Sequence, residues 1–233
     1  MIWCWERRKP QVPSIKPDPV QIEEDAKPRE PMTVKQQKFP DGYRVAVNQL
    51  WSGMIVGANL MDRQSRGHID WYMTKLRTGR EQYKSASVIS ERSFLFSVPW
   101  EIIGVIHGLE SSFNFDKQIL NGQSWKKKTT WVPKGLGPWS SWVNSTVSGL
   151  IHERKHNPFP NDWKSVEQVA LFLERWNGMG YWNMGQKPSP YLWSYTSSQT
   201  RGKYVSDGKY DRRAVSIQVG GMAMLKEIGY FDA

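Results

Sequence analysis

Ser97-Val98-Pro99-Trp100-Glu101-Ile102-Ile103-Gly104-Val105-Ile106-His107-Gly108-Leu109-Glu110-Ser111-Ser112-Phe113 is the stretch that decides the fold. A Ser followed by Pro in the first turn is a helix start. Ile102, Ile103, Val105, Ile106 and Leu109 leave the helix apolar on most sides, so it is expected to be central and buried. It ends near Glu110-Ser111-Ser112. A carboxyl placed there is pushed towards its protonated form by burial and by the negative end of the helix dipole. A carboxylic acid that keeps its proton near neutral pH is what a general acid needs. Taken alone, Glu110 reads rather as a side chain emerging into solvent at a helix end.

Outward from this helix, the pattern is mainly α. Residues 43–61 space Val45, Leu50, Ile55 and Leu60 in a helix-like way, and residues 68–84 continue with Ile69, Tyr72, Met73 and Leu76. Trp51 and Trp71 read as core. Beyond Glu110, Asn121-Gly122 is a strong hairpin signal, flanked by Gln118 to Leu120 and by Trp125 to Val132. Residues 139–152 read as helix. Ser165 with Gln168 fits a capping box, Val166 to Trp176 carry helical spacing, and Asn177-Gly178 supplies the stop. Residues 178–211 read as loop and 212–228 as a closing helix. The expected fold class is mainly α, of α+β type, with a small β-hairpin after the buried helix.

The chain has 233 residues, with 32 Lys+Arg against 22 Asp+Glu, one Cys and 13 Trp. Residues 1–42 hold seven of the 14 prolines and nearly balanced charge, 8 basic against 7 acidic. They read as an extended arm, an anchor or tether ahead of a domain over 43–233. The rest carries 24 basic and 15 acidic residues, so the positive field belongs to the body and favours an anionic partner. No helix-turn-helix, zinc or RNA-binding signature accompanies the charge, so nucleic acid is not the expected partner. No apolar run approaches the ~18–20 residues of a membrane span, and the N-terminus does not read as a signal peptide. Cys4 alone excludes a disulfide framework and a Cys-based zinc site. No metal or cofactor is expected.

The segment from Ile102 to Phe115 resembles the catalytic helix of the lysozyme superfamily, in particular goose-type lysozymes and soluble lytic transglycosylases. Those have an apolar helix ending in Glu-Ser followed shortly by Phe, here Glu110, Ser111 and Phe113. Trp176-Asn177-Gly178-Met179-Gly180 is similar to the Tyr-Asn-x-Gly element of the same superfamily. A closer similarity is to phage and bacterial lysozyme-family proteins that degrade peptidoglycan. It is carried by Ile106 to Glu110, Leu120-Asn121-Gly122, Asn177 to Tyr181, Ser189 to Ser194 and Gly202 to Lys209. It covers roughly residues 66–228. One departure is Gln123, where that family usually has Asp.

The resemblance implies a lysozyme-like fold and cleavage of the β-1,4 bond between N-acetylmuramic acid and N-acetylglucosamine. Glu110 would protonate the leaving oxygen. Attack by water would make the protein a hydrolase, and attack by the muramyl 6-hydroxyl a lytic transglycosylase. An inverting hydrolase wants a base carboxylate ~6.5–9.5 Å from the acid. Asp116 is the nearest candidate in sequence and Asp207 a more remote one, and both read rather as turn residues. Candidate substrate-binding residues are His107, Ser111, Asn177, Tyr181, Tyr191 and Trp193. His107 reads also as a core histidine, and Asn177 as a helix cap. The implied partner is the peptidoglycan glycan strand, with phage tail or other virion proteins met through the arm. The implied setting is a phage lysin acting on the bacterial wall, as endolysin or virion component. A non-catalytic wall-binding or virion protein that keeps the fold is the alternative.

Overall fold

The computed structural model describes residues 36–58, 65–94, 96–185, 189–206 and 208–232. Trp3, Trp5, Cys4 and most of the Pro-rich segment lie outside the described residues, as do Leu60 and Asp207. Among the described residues the helices are α1 (Tyr43–Ser52), α2 (Ser65–Thr78), α3 (Arg80–Phe94), α4 (Trp100–Ser111), α5 (Trp142–Arg154), α6 (Val166–Asn177), α7 (Gly180–Asn183), α8 (Pro190–Trp193) and α9 (Gly221–Glu227). The strands are β1 (Lys203–Ser206) and β2 (Lys209–Asp211), paired antiparallel. The fold is mainly α with one small two-stranded sheet.

α4 is the central helix that its composition demands. Every residue from Ile102 to Leu109 is buried, on all sides of the helix. Each fully buried Ile or Val contributes about 1.5–3 kcal/mol relative to an exposed one. α2, α3 and α9 pack around α4, while α1 and α8 pack on α6. Gly104 allows the closest of these approaches, since a Cβ there would run into the Leu76 and Tyr83 side chains. The helix starts differently from expectation. Pro99 rather than Ser97 is the N-cap, and its carbonyl accepts from the Ile102 and Ile103 amides. Ser112 closes the helix in a left-handed conformation, φ 52°.

The first two expected helices are three. α1 stops at Gly53, and Val45 and Ile55 are exposed at 62% and 64%, so the five-residue spacing of Val45, Leu50 and Ile55 is not the buried stripe. Tyr43 and Val47, four apart on one face, are buried instead. A break at Gly79 separates α2 from α3. Trp71 is not core but exposed at 44%, with Lys75 over its ring, and Trp51 is half-buried against Phe231.

The expected hairpin at Asn121-Gly122 is a turn without a ladder. Gly122 has φ 69°, and the Gln118 amide donates to the Gln123 carbonyl at 2.8 Å. Pairing extends only to an isolated bridge between Lys117 and Ser124. Side chains take the amides that a partner strand would have used. Gln123 Oε1 accepts from the Thr130 and Trp131 amides, and Gln118 Oε1 from the Leu120 amide. The regular sheet lies instead within 203–211, a stretch expected to be loop.

The capping Ser165 accepts from the Gln168 amide at 3.3 Å, and Gly178 terminates α6 at φ 90°. The closing helix is shorter than expected. Residues 212–220 spend backbone groups on the 194–202 segment: Gly202 donates to the Ala214 carbonyl and Gly220 to the Ser194 carbonyl. Residues 36–42, expected to belong to the arm, lie on the body. Gln37 donates to the Pro158 and Gln168 carbonyls, and Arg175 donates to the Lys38 carbonyl.

Candidate active site

Glu110 occupies the last turn of α4 and is partly buried. Three segments distant in sequence meet there. Tyr191 Oη donates to Glu110 Oε1 at 2.8 Å. Gln218 Nε2 donates to the Leu109 carbonyl at 2.6 Å. Gly122 rests against the Glu110 carbonyl so closely that a Cβ would stand 2.8 Å from the oxygen, and its positive φ also favours glycine. Tyr191 is set by local structure: Pro190 opens the short α8, and the Ser189 hydroxyl accepts from the Tyr191 amide at 3.2 Å. Leu192 and Trp193, buried behind it, fix that turn to the core.

Burial raises the Glu110 pKa to about 7, and the negative charge of Glu153 adds to this, while the Tyr191 hydrogen bond opposes it. Burial likewise raises the Glu153 carboxyl on α5, opposed by Asn157. Tyr191 is itself raised well above 10, by burial first and then by Glu110, so its hydroxyl remains a donor. At neutral pH, Glu110 therefore stands near half protonation, poised to give up a proton.

An open cavity of about 580 Å³ adjoins Tyr191. One wall is the α6–α7 turn, with Asn177, Gly178, Gly180 and Tyr181. A second is the β1–β2 hairpin, with Lys203 to Ser206 and Gly208. Pro190, Tyr191, Ser216 and Gln218 complete the lining, so two of the groups that hold the end of α4 also face the cavity. Tyr181 steadies the hairpin wall, its hydroxyl accepting from the Tyr204 amide at 3.0 Å. Among the described residues, no group of three or more His, Cys, Asp or Glu is placed to hold a metal ion, and no helix is long and apolar enough to cross a membrane.

No family model, no curated protein and no solved structure matches this chain.

The residues singled out from sequence divide into two groups. Asn177, Tyr181 and Tyr191 line the cavity, and Glu110 is joined to it through the Tyr191 hydroxyl. His107, Ser111 and Trp193 are inside the body. His107 is fully buried, its Nδ1 is 3.0 Å from Tyr83 Oη, and Phe113, Phe115 and Trp142 surround its ring. Burial lowers its pKa to about 4, so it is neutral. The Ser111 hydroxyl donates back to the His107 carbonyl within α4. Asp116 is exposed and held 2.7 Å from Lys126, and it belongs neither to the cavity lining nor to the groups that act on Glu110. The carboxylate that does act on Glu110 is Glu153, for which the sequence carried no signal, because one acidic residue near a helix end is unremarkable. Lys203, Tyr204 and Gln218 were also missed as site residues: the first two lie in a stretch read as loop, and Gln218 in one read as helix that is instead irregular chain.

Loss of the Tyr191 hydroxyl has a defined sign. Its hydrogen bond favours the ionised carboxyl, so Tyr191→Phe is expected to raise the Glu110 pKa. A hydrogen bond to a charged group contributes about 1.5–3 kcal/mol, so the shift should be on the order of one pH unit. A titration of Glu110 by carboxyl-labelled NMR measures it, and an unchanged midpoint would show that this contact does not persist in solution.

Proposed function

We propose that this protein is a peptidoglycan-degrading muramidase of lysozyme-like fold. Its Glu110 is the general acid that cleaves the β-1,4 bond between N-acetylmuramic acid and N-acetylglucosamine. The observation that carries the reading is the state of Glu110: a carboxyl at the end of a buried helix, pushed to about pKa 7 and hydrogen-bonded by a tyrosine that faces an open cavity. The resemblance of the Ile106–Phe113 and Asn177–Tyr181 motifs to lysozyme-superfamily elements supports it from an independent direction: the second motif lines the cavity, and Glu110 of the first is hydrogen-bonded by Tyr191, which lines it too.

Glu110 gives its proton to the glycosidic oxygen as the C1–O bond breaks, so the leaving sugar departs as a neutral alcohol. The carboxylate left behind then takes the proton of the oxygen that attacks C1. Glu110 serves as acid and then as base, and Asp116, paired with Lys126 in solvent, takes no part. Water as attacker leaves a reducing muramic end, and the muramyl 6-hydroxyl leaves a 1,6-anhydro end. Asn177 and Tyr181 line the space for the sugar. The setting this implies is a phage lysin, released from its host or carried on the virion.

Digestion of purified peptidoglycan followed by mass spectrometry tests the reading. Muropeptides with reducing or 1,6-anhydro muramic ends are expected, and their masses also name the attacking group. Cut stem peptides on intact glycan, or no soluble product, would overturn it.

A further inference from the structure

Gly122, which touches the Glu110 carbonyl, is followed by a loop that the cavity lining does not include. The loop is tightly held. Asn121 Nδ2 donates to the Trp131 and Val132 carbonyls at 3.4 and 3.2 Å, and Gln123 Oε1 accepts from the Trp131 amide at 2.8 Å. Thr129 ties its far side, the hydroxyl donating to the Pro133 carbonyl and accepting from the Leu136 amide. Yet this fixed frame shows its largest apolar groups to solvent: Trp131 is 62% exposed and Val132 78%. The Trp131 ring has no aromatic or cationic partner among the described residues. Lys127, Lys128 and Lys134 on the same loop are exposed, and none has a carboxylate partner among the described residues. An ordered loop that holds an unpartnered indole in water forgoes the burial that usually settles a Trp.

We infer that Trp131 is a second glycan-binding platform, outside the cavity and beside the end of α4. It takes a sugar ring of an N-acetylhexosamine strand on its face, while the neighbouring lysines meet carboxylates borne on that strand. The inference rests on the proposed muramidase reading for its ligand and on the Asn121–Gly122 turn for its place. Asn121 holds the Trp131 carbonyl and its neighbour Gly122 touches the Glu110 carbonyl, so this loop is tied to the end of α4 through two adjacent residues. The apolar face of a pyranose suits an indole. The three lysines suit a strand whose stem-peptide carboxylates, or bare lactyl groups where the peptide is absent, carry negative charge. A neutral chitin strand offers only the first of these contacts.

Binding measured in the Glu110→Gln background separates this from catalysis. The probes are purified sacculi, a neutral N-acetylglucosamine hexamer and phosphatidylglycerol vesicles. Adding Trp131→Ser is expected to weaken binding to sacculi and to the hexamer about tenfold, as loss of a central aromatic contact does. Trp131→Tyr should restore most of it. Adding Lys127→Gln with Lys128→Gln should weaken binding to sacculi alone and flatten its salt dependence. Unchanged glycan binding by the Trp131→Ser protein overturns the platform, and so does a loss confined to vesicles, which would make the loop a lipid contact. Product release by the wild-type protein scores the muramidase reading separately. A protein that cleaves but ignores Trp131 loses only the platform, and one that binds through Trp131 without cleaving loses only the chemistry.

Discussion

Glu110→Gln is expected to lower the rate of peptidoglycan solubilisation by about 10²–10⁴-fold, the range that a positioned general acid contributes. Gln keeps the shape of the protonated carboxyl and can still accept from Tyr191 Oη, so the packing at the end of α4 is preserved. What it lacks is a proton that can leave. The wild-type rate should fall as pH rises through about 7, where the carboxyl ionises, and the residual rate of the variant should not follow that limb. Initial rates on purified sacculi between pH 5 and 9 test both statements. A variant that solubilises sacculi at the wild-type rate would remove Glu110 from the chemistry and assign the cleavage to other groups. Melting curves provide the control, because the variant should unfold at or above the wild-type temperature when the wild-type carboxyl is ionised.

The sequence was most informative where burial is nearly total. α4 is apolar on every side, and α6 carries a cap, a stripe and a glycine stop, so both were legible from residues 97–112 and 165–178. α3 was not. Its buried face is Tyr83, Ala86 and Ser90, two of them small and one polar, which leaves no hydrophobic stripe to read. The turn at Asn121-Gly122 was legible, but not the fate of its flanks. The competitors for those amides are the side chains of Gln118 and Gln123, and side-chain hydrogen bonding of this kind has no periodic signature. The site followed the same division. Glu110 could be found because it ends an apolar helix within a Glu-Ser-x-Phe motif that resembles a known catalytic helix. Tyr191 rested on its short motif alone, and Glu153 and Gln218 had no local signal at all, because only tertiary packing brings them to the end of α4.

Glu174→Gln is expected to stabilise the protein at pH 8, by an amount that grows from acid to alkaline pH. Glu174 lies on α6 with 3% exposure, and burial raises its pKa to about 8 against the opposing hydrogen bond of Ser189. Its Oε1 has no hydrogen-bond partner among the described residues. In the unfolded chain the same carboxyl titrates near 4.5. Below that value both states hold the proton, and the stability is fully present. Between the two values the unfolded chain releases a proton that the folded protein keeps, so stability falls as pH rises, and the loss is complete above the folded value. The gap corresponds to a loss on the order of 3–5 kcal/mol, a large part of a typical folding free energy. Gln has no proton to lose, so its curve lacks this slope. Urea unfolding of both proteins at pH 4.5, 6, 7 and 8 measures the difference, and the other raised carboxyls, Glu101, Glu110 and Glu153, cancel because both proteins keep them. Parallel curves across this range would show that Glu174 reaches water in solution. Because Glu110 loses its proton in the same window, the proposed activity is expected to fall there as well, and the Glu174→Gln protein separates that fall from the loss of stability.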